Sequence, residues 1–286
     1  MITYQNLYLE IRRKLLKAGF PGAELEAREL VCCGSGKTRS EFYRDGSLYT
    51  SPEIEASVRA LAERHINGEP VAYLLGEWEF YGLPLTVTPA VLIPRVDTEV
   101  LAGEAIAWLR GQERPRVLDL CAGSGCVGLA LADQVPRCRV VLGELSPEAL
   151  AVCGENVRRC GLEARVEVRR LDALRPPPED LGRFSCVVCN PPYIPDGDIS
   201  GLDISVRDFE PHMALRGGTD GLDFYRAIVR DWRRVLLPGG RLFFEVGIGQ
   251  AEAVRGLLAD AGFERVTVVP DGQGIGRVVS GGTAEK

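Results

Sequence analysis

The side chains best placed to do chemistry lie in one four-residue segment, Asn190-Pro191-Pro192-Tyr193, directly after the apolar run FSCVVC. An amide or aromatic –NH2 group is a poor nucleophile, because its lone pair is conjugated into the neighbouring π system. Two acceptors aimed at its two N–H bonds would turn that lone pair out of the plane. The Asn190 side-chain oxygen and the backbone carbonyl of Pro191 are two such acceptors. Prolines hold that carbonyl rigidly and bring no competing N–H. Tyr193 can stack on a planar group and fix its orientation. The chemistry read from these residues is methyl transfer to a planar nitrogen by positioning and electrostatics, with no covalent intermediate. An ordinary strand-terminating turn is the alternative, since Asn-Pro and Pro-Pro are common breakers. The loop upstream weighs against it.

That loop is Val117-Leu118-Asp119-Leu120-Cys121-Ala122-Gly123-Ser124-Gly125, running from a strand into a helix. Gly123-x-Gly125-x-x-Gly128 matches the dinucleotide fingerprint, so a nicotinamide or flavin enzyme stays open on this element alone, as does a plain glycine-rich turn. Asp119, near the strand end, can receive a cationic amino group through water or loop amides. Glu144 ends the next apolar run, where its carboxylate can accept hydrogen bonds from both hydroxyls of a ribose; that supports a nucleoside without choosing one. The loop is similar to the D-x-G-x-G-x-G element of class I methyltransferases, with Cys121 in place of the first Gly. This similarity favours S-adenosyl-L-methionine, with S-adenosyl-L-homocysteine as product.

The elements that must position these residues follow from periodicity. Leu7, Ile11 and Leu15 make one helical stripe that stops at Gly19. A second helix is expected over Ala23 to Val31. A third has Ser51 as N-cap and Pro52 in its first turn, with Ile54, Val58 and Leu61 on one face. Trp78, Phe80, Leu85 and Val87 alternate around Tyr81-Gly82-Leu83-Pro84, the pattern of a β-hairpin over residues 74–89. From about residue 115, RVLDLCA, RVVLGE, ARVEVRRL, FSCVVCN and GRLFFEVG read as strands. Helices over Gly125–Asp133, Pro147–Cys160, Leu222–Leu236 and Gln250–Ala261 separate them. The expectation is an α/β fold with a doubly wound, mostly parallel, Rossmann-like sheet, whose ligands bind beyond the carboxyl ends of its strands. The domains expected are a helical substrate-recognition domain (1–72), a hairpin linker (73–93) and a methyltransferase domain (94–286).

The 286 residues are 45% hydrophobic and 26% charged, with a net charge of −6. That balance suits a globular protein and lowers the prior for binding naked nucleic acid, which rewards a basic face. The opening segment carries Glu10 among basic residues and lacks the apolar core of a signal peptide, and no apolar run is long enough to span a bilayer. Nine scattered cysteines fit reduced thiols in a cytosol. Two histidines make a His-rich metal site improbable, and no metal is expected.

Four segments together resemble the release factor N5-glutamine methyltransferases (HemK family) over nearly the whole chain. They are VAYLLGEWEFYGLPLTVTPAVLIPRVDTE (71–99), VLDLCAGSGCVGLALA (117–132), NPPY (190–193) and VRDFEPHMAL (206–215). LIPRVDTE discriminates most, because DNA adenine methyltransferases share NPPY and lack it. The resemblance implies that the methyl acceptor is the side-chain amide of glutamine in a Gly-Gly-Gln motif of class 1 peptide chain release factors. It implies a cofactor site around Cys121, Ala122, Gly123, Ser124, Gly125, Glu144, Asp172, Ala173 and Asn190, with Arg95 and Thr98 on the cofactor side. Asn190, Pro191, Pro192 and Tyr193 would contact the glutamine. Val96 stands where the family usually has proline, and PDGQGIGRVVSG matches only loosely. A cytoplasmic monomer is expected. The competing functions are an N6-adenine or N4-cytosine methyltransferase, for which this chain lacks a basic recognition domain, and a ribosomal-protein glutamine methyltransferase.

Some residues are discounted. Cys186 and Cys189, three apart on a strand, point to opposite faces and cannot share a metal. Cys32 and Cys33 read as helix packing, His212 as structural, and Gly274-x-Gly276 as a hairpin turn.

Overall fold

The structure is a computed structural model and describes residues 1–285. The chain forms two compact units, one of Met1–Glu77 with Asp203–Phe209, the other of Trp78–Leu202 with the chain from Glu210 onward.

The first unit is helical. Helix α1 (Tyr4–Lys17) is capped by Thr3, whose hydroxyl accepts the Asn6 N–H at 3.2 Å, and it buries Leu7, Ile11 and Leu15 completely. Helix α2 (Ala23–Ser35) runs one turn beyond the expected Val31 and stops at Gly36, which takes the left-handed conformation that glycine accepts without strain. Cys32 packs into the core, but Cys33 is exposed. Adjacent helical residues point about 100° apart, so only one of the pair can face inward. Helix α3 (Arg39–Asp45) was not expected, although Thr38 and Glu41 form a reciprocal capping box. Helix α4 (Pro52–Ile66) starts on Ser51, which accepts from the Ile54 N–H at 3.3 Å, and a short α5 (Val71–Leu75) follows.

The second unit opens at Trp78 within the hairpin of β1 (Glu77–Phe80) and β2 (Leu83–Thr86). Tyr81 and Gly82 both have positive φ, the two-residue turn whose twist matches that of the flanking strands. Helix α6 (Thr98–Leu109) was also unforeseen. It is apolar on several sides, so it carries no amphipathic stripe to read. Then come β3 (Arg116–Leu120), α7 (Cys126–Gln134), β4 (Arg139–Glu144), α8 (Pro147–Arg159), β5 (Val166–Arg170) and β6 (Phe184–Cys189). The four-residue α9 (Ile204–Arg207) counts with the first unit. Helix α10 (Asp223–Asp231), β7 (Leu236–Glu245), α11 (Ala251–Asp260), β8 (Glu264–Pro270) and β9 (Gly276–Gly282) complete the chain.

Seven strands form one sheet in the order β5-β4-β3-β6-β7-β9-β8. Pairing is parallel from β5 to β7, and β9 runs antiparallel to both β7 and β8. The β8–β9 hairpin turns at Gly274, as the glycines suggested. Alternate strand residues feed two cores: Val117, Val140, Leu142 and Cys186 pack with α6, α7 and α8, while Leu118, Val141, Val187 and Cys189 pack with α10 and α11. Cys186 and Cys189 therefore do lie on opposite faces, each buried in apolar surroundings.

Candidate active site

Strand register brings the motifs to one level. Leu120 of β3 pairs with Gly143 of β4 and with Cys189 of β6, so Cys121, Glu144 and Asn190 each stand one residue past the same rung. At the end of β4, Glu144 pairs with Arg170, and Asp172 and Ala173 follow β5 just beyond that pair. The strand order reverses at β3, which makes this the crevice where ligands of doubly wound sheets bind. A cavity of ≈ 360 Å³ opens there. Its walls include Asp119, Cys121, Ala122, Gly123, Ser124, Glu144, Asp172, Ala173, Asn190 and Pro192, with Arg95 and Thr98. Leu171, Pro211, Met213, Ala214 and Phe224 add apolar surface that was not anticipated residue by residue. Gly125, Pro191 and Tyr193 do not line it; Gly125 caps α7 and Pro191 is buried.

The loop after β3 is held from three sides. Glu144 accepts the Gly123 N–H on Oε2 at 2.9 Å, and the Leu145 and Ser146 N–H groups on Oε1 at 2.7 and 2.9 Å. This anchoring of the loop is a role the sequence reading missed. The Cys153 thiol donates to the Gly123 carbonyl, and the fully buried Asn156 donates to the Ser124 carbonyl at 2.9 Å. Asn156 also donates to Thr86 O and accepts from Thr86 N, tying the hairpin to the loop.

Asp119 is 2% exposed, and its Oδ2 accepts the Gly128 N–H at 2.8 Å. A side chain on residue 128 would overlap Leu142, so the third glycine is required by close helix–strand packing. Burial, with the Glu144 charge nearby, pushes the Asp119 carboxyl up to about 7 against the counterweight of the Gly128 N–H. A carboxylate in that setting is stabilised by an arriving positive charge.

Asn190 donates through Nδ2 to the Thr98 hydroxyl at 3.3 Å. Its oxygen thus remains available at the cavity wall. Tyr193 turns its ring against Gly247 and its hydroxyl toward Glu245 Oε1, 3.5 Å away. Burial raises its phenol above the ordinary range, so it stays protonated. The backbone behind it is clamped: Gln250 Nε2 donates to the Tyr193 carbonyl at 2.9 Å, and the Ile194 N–H donates to Leu215 O at 2.9 Å. Gly221, at positive φ, leaves room for that carbonyl, which any side chain there would overlap.

Arg95 forms an ion pair with Glu210, a residue 4% exposed whose Oε2 also accepts the Ile93 N–H at 3.2 Å. LIPRVDTE and VRDFEPHMAL are thereby joined through one buried carboxylate. Val96 itself is 80% exposed, so the loss of a proline there disturbs no packing. His212 is exposed at the start of a short 3-10 turn and is not a wall residue. Among the described residues no cluster of His, Cys, Asp and Glu could hold a metal, and no helix is long and apolar enough to cross a membrane.

Two family models match the chain: the PrmC N-terminal domain over residues 6–76 and the methyltransferase small domain over residues 102–204. The release factor glutamine methyltransferase of Geobacter sulfurreducens is 44% identical, over 94% of this chain and 93% of its own. That of Koribacter versatilis is 40% identical over 98% of each. Among solved structures, the hMettl16 catalytic domain in complex with MAT2A 3′UTR hairpin 1 superposes with a TM-score of 0.56 at 16% identity, covering 83% of this chain and 84% of that one. A methyltransferase from Pyrococcus furiosus gives 0.51 at 15% identity, over 78% and 97%. At these identities the structural likeness speaks for the fold alone, a class I methyltransferase sheet.

Proposed function

Because this chain belongs to the release factor glutamine methyltransferase family, we propose that it methylates the side-chain amide nitrogen (N5) of the glutamine in the Gly-Gly-Gln motif of class 1 peptide chain release factors, using S-adenosyl-L-methionine. When bound, that cofactor supplies the activated methyl group and leaves as S-adenosyl-L-homocysteine.

The residues fit the roles required. Residues 121–124, Glu144, Asp172 and Ala173 form the nucleoside side of the cavity, with Gly125 behind them capping α7, and the buried Asp119 carboxylate favours a cationic ligand group. Asn190 Oδ1 and the Pro191 carbonyl accept the two N–H bonds of the glutamine amide and turn its lone pair toward the methyl group. Pro192 and Tyr193 stiffen and orient that segment, and the proton lost after attack goes to water. The single observation that carries this reading is the commitment of Asn190 Nδ2 to Thr98, in the same cavity wall as Glu144 and the glycine loop. With Nδ2 turned to Thr98, the amide presents its oxygen as the acceptor for the substrate nitrogen.

Residues 1–72 are assigned to holding the release factor, 73–93 to the linker and 94–286 to catalysis. A monomer is proposed, and a translation factor as substrate supports a cytoplasmic location. The test is incubation with methyl-labelled cofactor alongside a folded release factor and adenine-containing duplex DNA. Label on the release factor is expected. Label on DNA alone would leave the –NH2 chemistry standing and defeat the glutamine assignment.

A further inference from the structure

Helix α11 begins on Gln250, a position where a short oxygen-bearing side chain usually caps the free N–H groups. Gln250 makes no capping bond to that helix, and its side chain reaches three backbone groups elsewhere. Its Nε2 donates to the Tyr193 carbonyl at 2.9 Å and to the Gly221 carbonyl at 3.4 Å, and its Oε1 accepts the Gly247 N–H at 3.0 Å. These partners fix the sense of the amide, since a backbone N–H needs the oxygen and the two carbonyls need the nitrogen. One neutral side chain thus joins the segments that follow β6, precede α10 and follow β7.

The same segments close on Tyr193 through glycines. A Cβ on Gly217 would come within 2.7 Å of Tyr193 Cα, and one on Gly247 within 2.8 Å of Gln250 Oε1 and 3.0 Å of the Tyr193 ring. Next along the chain, the Ile194 N–H donates to Leu215 O at 2.9 Å and the Gly217 N–H to Ile194 O at 2.8 Å. Pro191 and Pro192 bring no N–H that could tie the chain down between Asn190 and Tyr193. The anchoring of that stretch falls on its ends, on Asn190 through Thr98 and on Tyr193 through Gln250.

We propose that Gln250 is a positioning residue for methyl transfer, holding the Tyr193 carbonyl so that the Pro191 carbonyl, two residues back, keeps its place beside Asn190. The role rests on the proposed glutamine chemistry for what the Pro191 carbonyl accepts. Gln250 is not a wall of the cofactor cavity, so its loss should reach the methyl acceptor and spare the cofactor.

Two full-chain variants test this. Gln250→Met keeps the length of the side chain and removes all three bonds. Its kcat at saturating cofactor is expected to fall by about tenfold or more, as when reacting groups are misplaced. Its cofactor Kd should stay within about twofold by calorimetry. Gln250→Glu keeps the shape. Protonated, it still donates to the Tyr193 carbonyl and accepts from Gly247; ionised, it turns a second acceptor on two carbonyls. Facing those carbonyls raises its pKa above the ordinary carboxylate range of about 4. The kcat of Gln250→Glu relative to wild type is therefore expected to fall by about tenfold as pH rises from about 5.5 to 8.5, approaching that of Gln250→Met. Independently of activity, amide hydrogen exchange at Ile194 and Gly217 should quicken by about tenfold in Gln250→Met while that of α7 stays unchanged. Should Gln250→Met not fold, both measurements are read on Gln250→Glu against wild type at each pH. A wild-type kcat in Gln250→Met, a parallel loss of cofactor affinity, a Gln250→Glu ratio flat with pH, or unaltered exchange at Ile194 and Gly217 would each overturn the role. Failure of the wild type to label a release factor would instead strike the proposed function, and the exchange measurement would still judge whether Gln250 holds the segment.

Discussion

Asn190 and Asp119 stand at the ends of neighbouring strands and are proposed to serve different parts of the reaction. On the proposed chemistry Asn190→Ala removes one of two acceptors for the substrate –NH2, and turnover is expected to drop by about 10²–10³, the scale of deleting one preorganised polar group. Cofactor binding should survive, because most of the cavity wall belongs to the ends of β3, β4 and β5; single-turnover kinetics beside calorimetry separate the two effects. Asp119 is proposed to act on the cofactor side. Its carboxyl is held near 7 by burial, so affinity for a cationic ligand should rise with pH through about 7, by up to about tenfold per pH unit on the acidic side. For the fold alone the sign is opposite. A carboxyl whose pKa is raised on folding contributes a loss of stability as pH rises from the usual carboxylate range through about 7. Calorimetric titrations between about pH 6 and 8 check this; an affinity slope unchanged in Asp119→Asn would rule Asp119 out as its source. Asn190, Asp119 and Glu144 were legible because each interrupts or ends an apolar run where a strand must stop. Asn156, Glu210 and Glu245 were not, since their partners lie 70, 115 and 52 residues away in sequence. Only the fold reveals that such polar residues are buried and paired.

At the scale of elements, the site depends on how a helix side chain ties a hairpin to a loop. Asn156 of α8 satisfies Thr86 N, Thr86 O and Ser124 O at once. Asn156→Leu keeps the volume and strands these groups, each at a cost of about 1–3 kcal/mol if water cannot reach it. A lower denaturant midpoint at constant m is expected, together with weaker cofactor binding as the 121–125 loop loosens. Unchanged stability would mean that the hairpin and loop are held by other contacts. The parallel strands were readable as apolar runs bounded by breakers, and the principal helices near them as stripes or capped segments. Helix α6 was missed because burial on several sides erases the period on which helix reading rests. Helix α3 was missed although its capping box is plain in Thr38-x-x-Glu41, because a seven-residue helix offers too few turns for a stripe. The strand β9 insertion, antiparallel between β7 and β8, depends on pairing energies that local sequence does not encode.

At the scale of the molecule, a net charge of −6 suits a folded protein substrate better than bare nucleic acid. The proposed roles of the helical unit, the sheet and the NPPY segment meet in delivery of a glutamine side chain to the end of β6. The most direct test is tandem mass spectrometry of a class 1 release factor after incubation with the wild-type chain, its Asn190→Ala variant and isotopically labelled S-adenosyl-L-methionine. One labelled methyl group is predicted on the side-chain amide of the Gly-Gly-Gln glutamine with the wild type, and little or none with Asn190→Ala at equal time. An unmodified glutamine after treatment with cofactor-binding wild-type protein, or equal labelling by Asn190→Ala, would contradict the account.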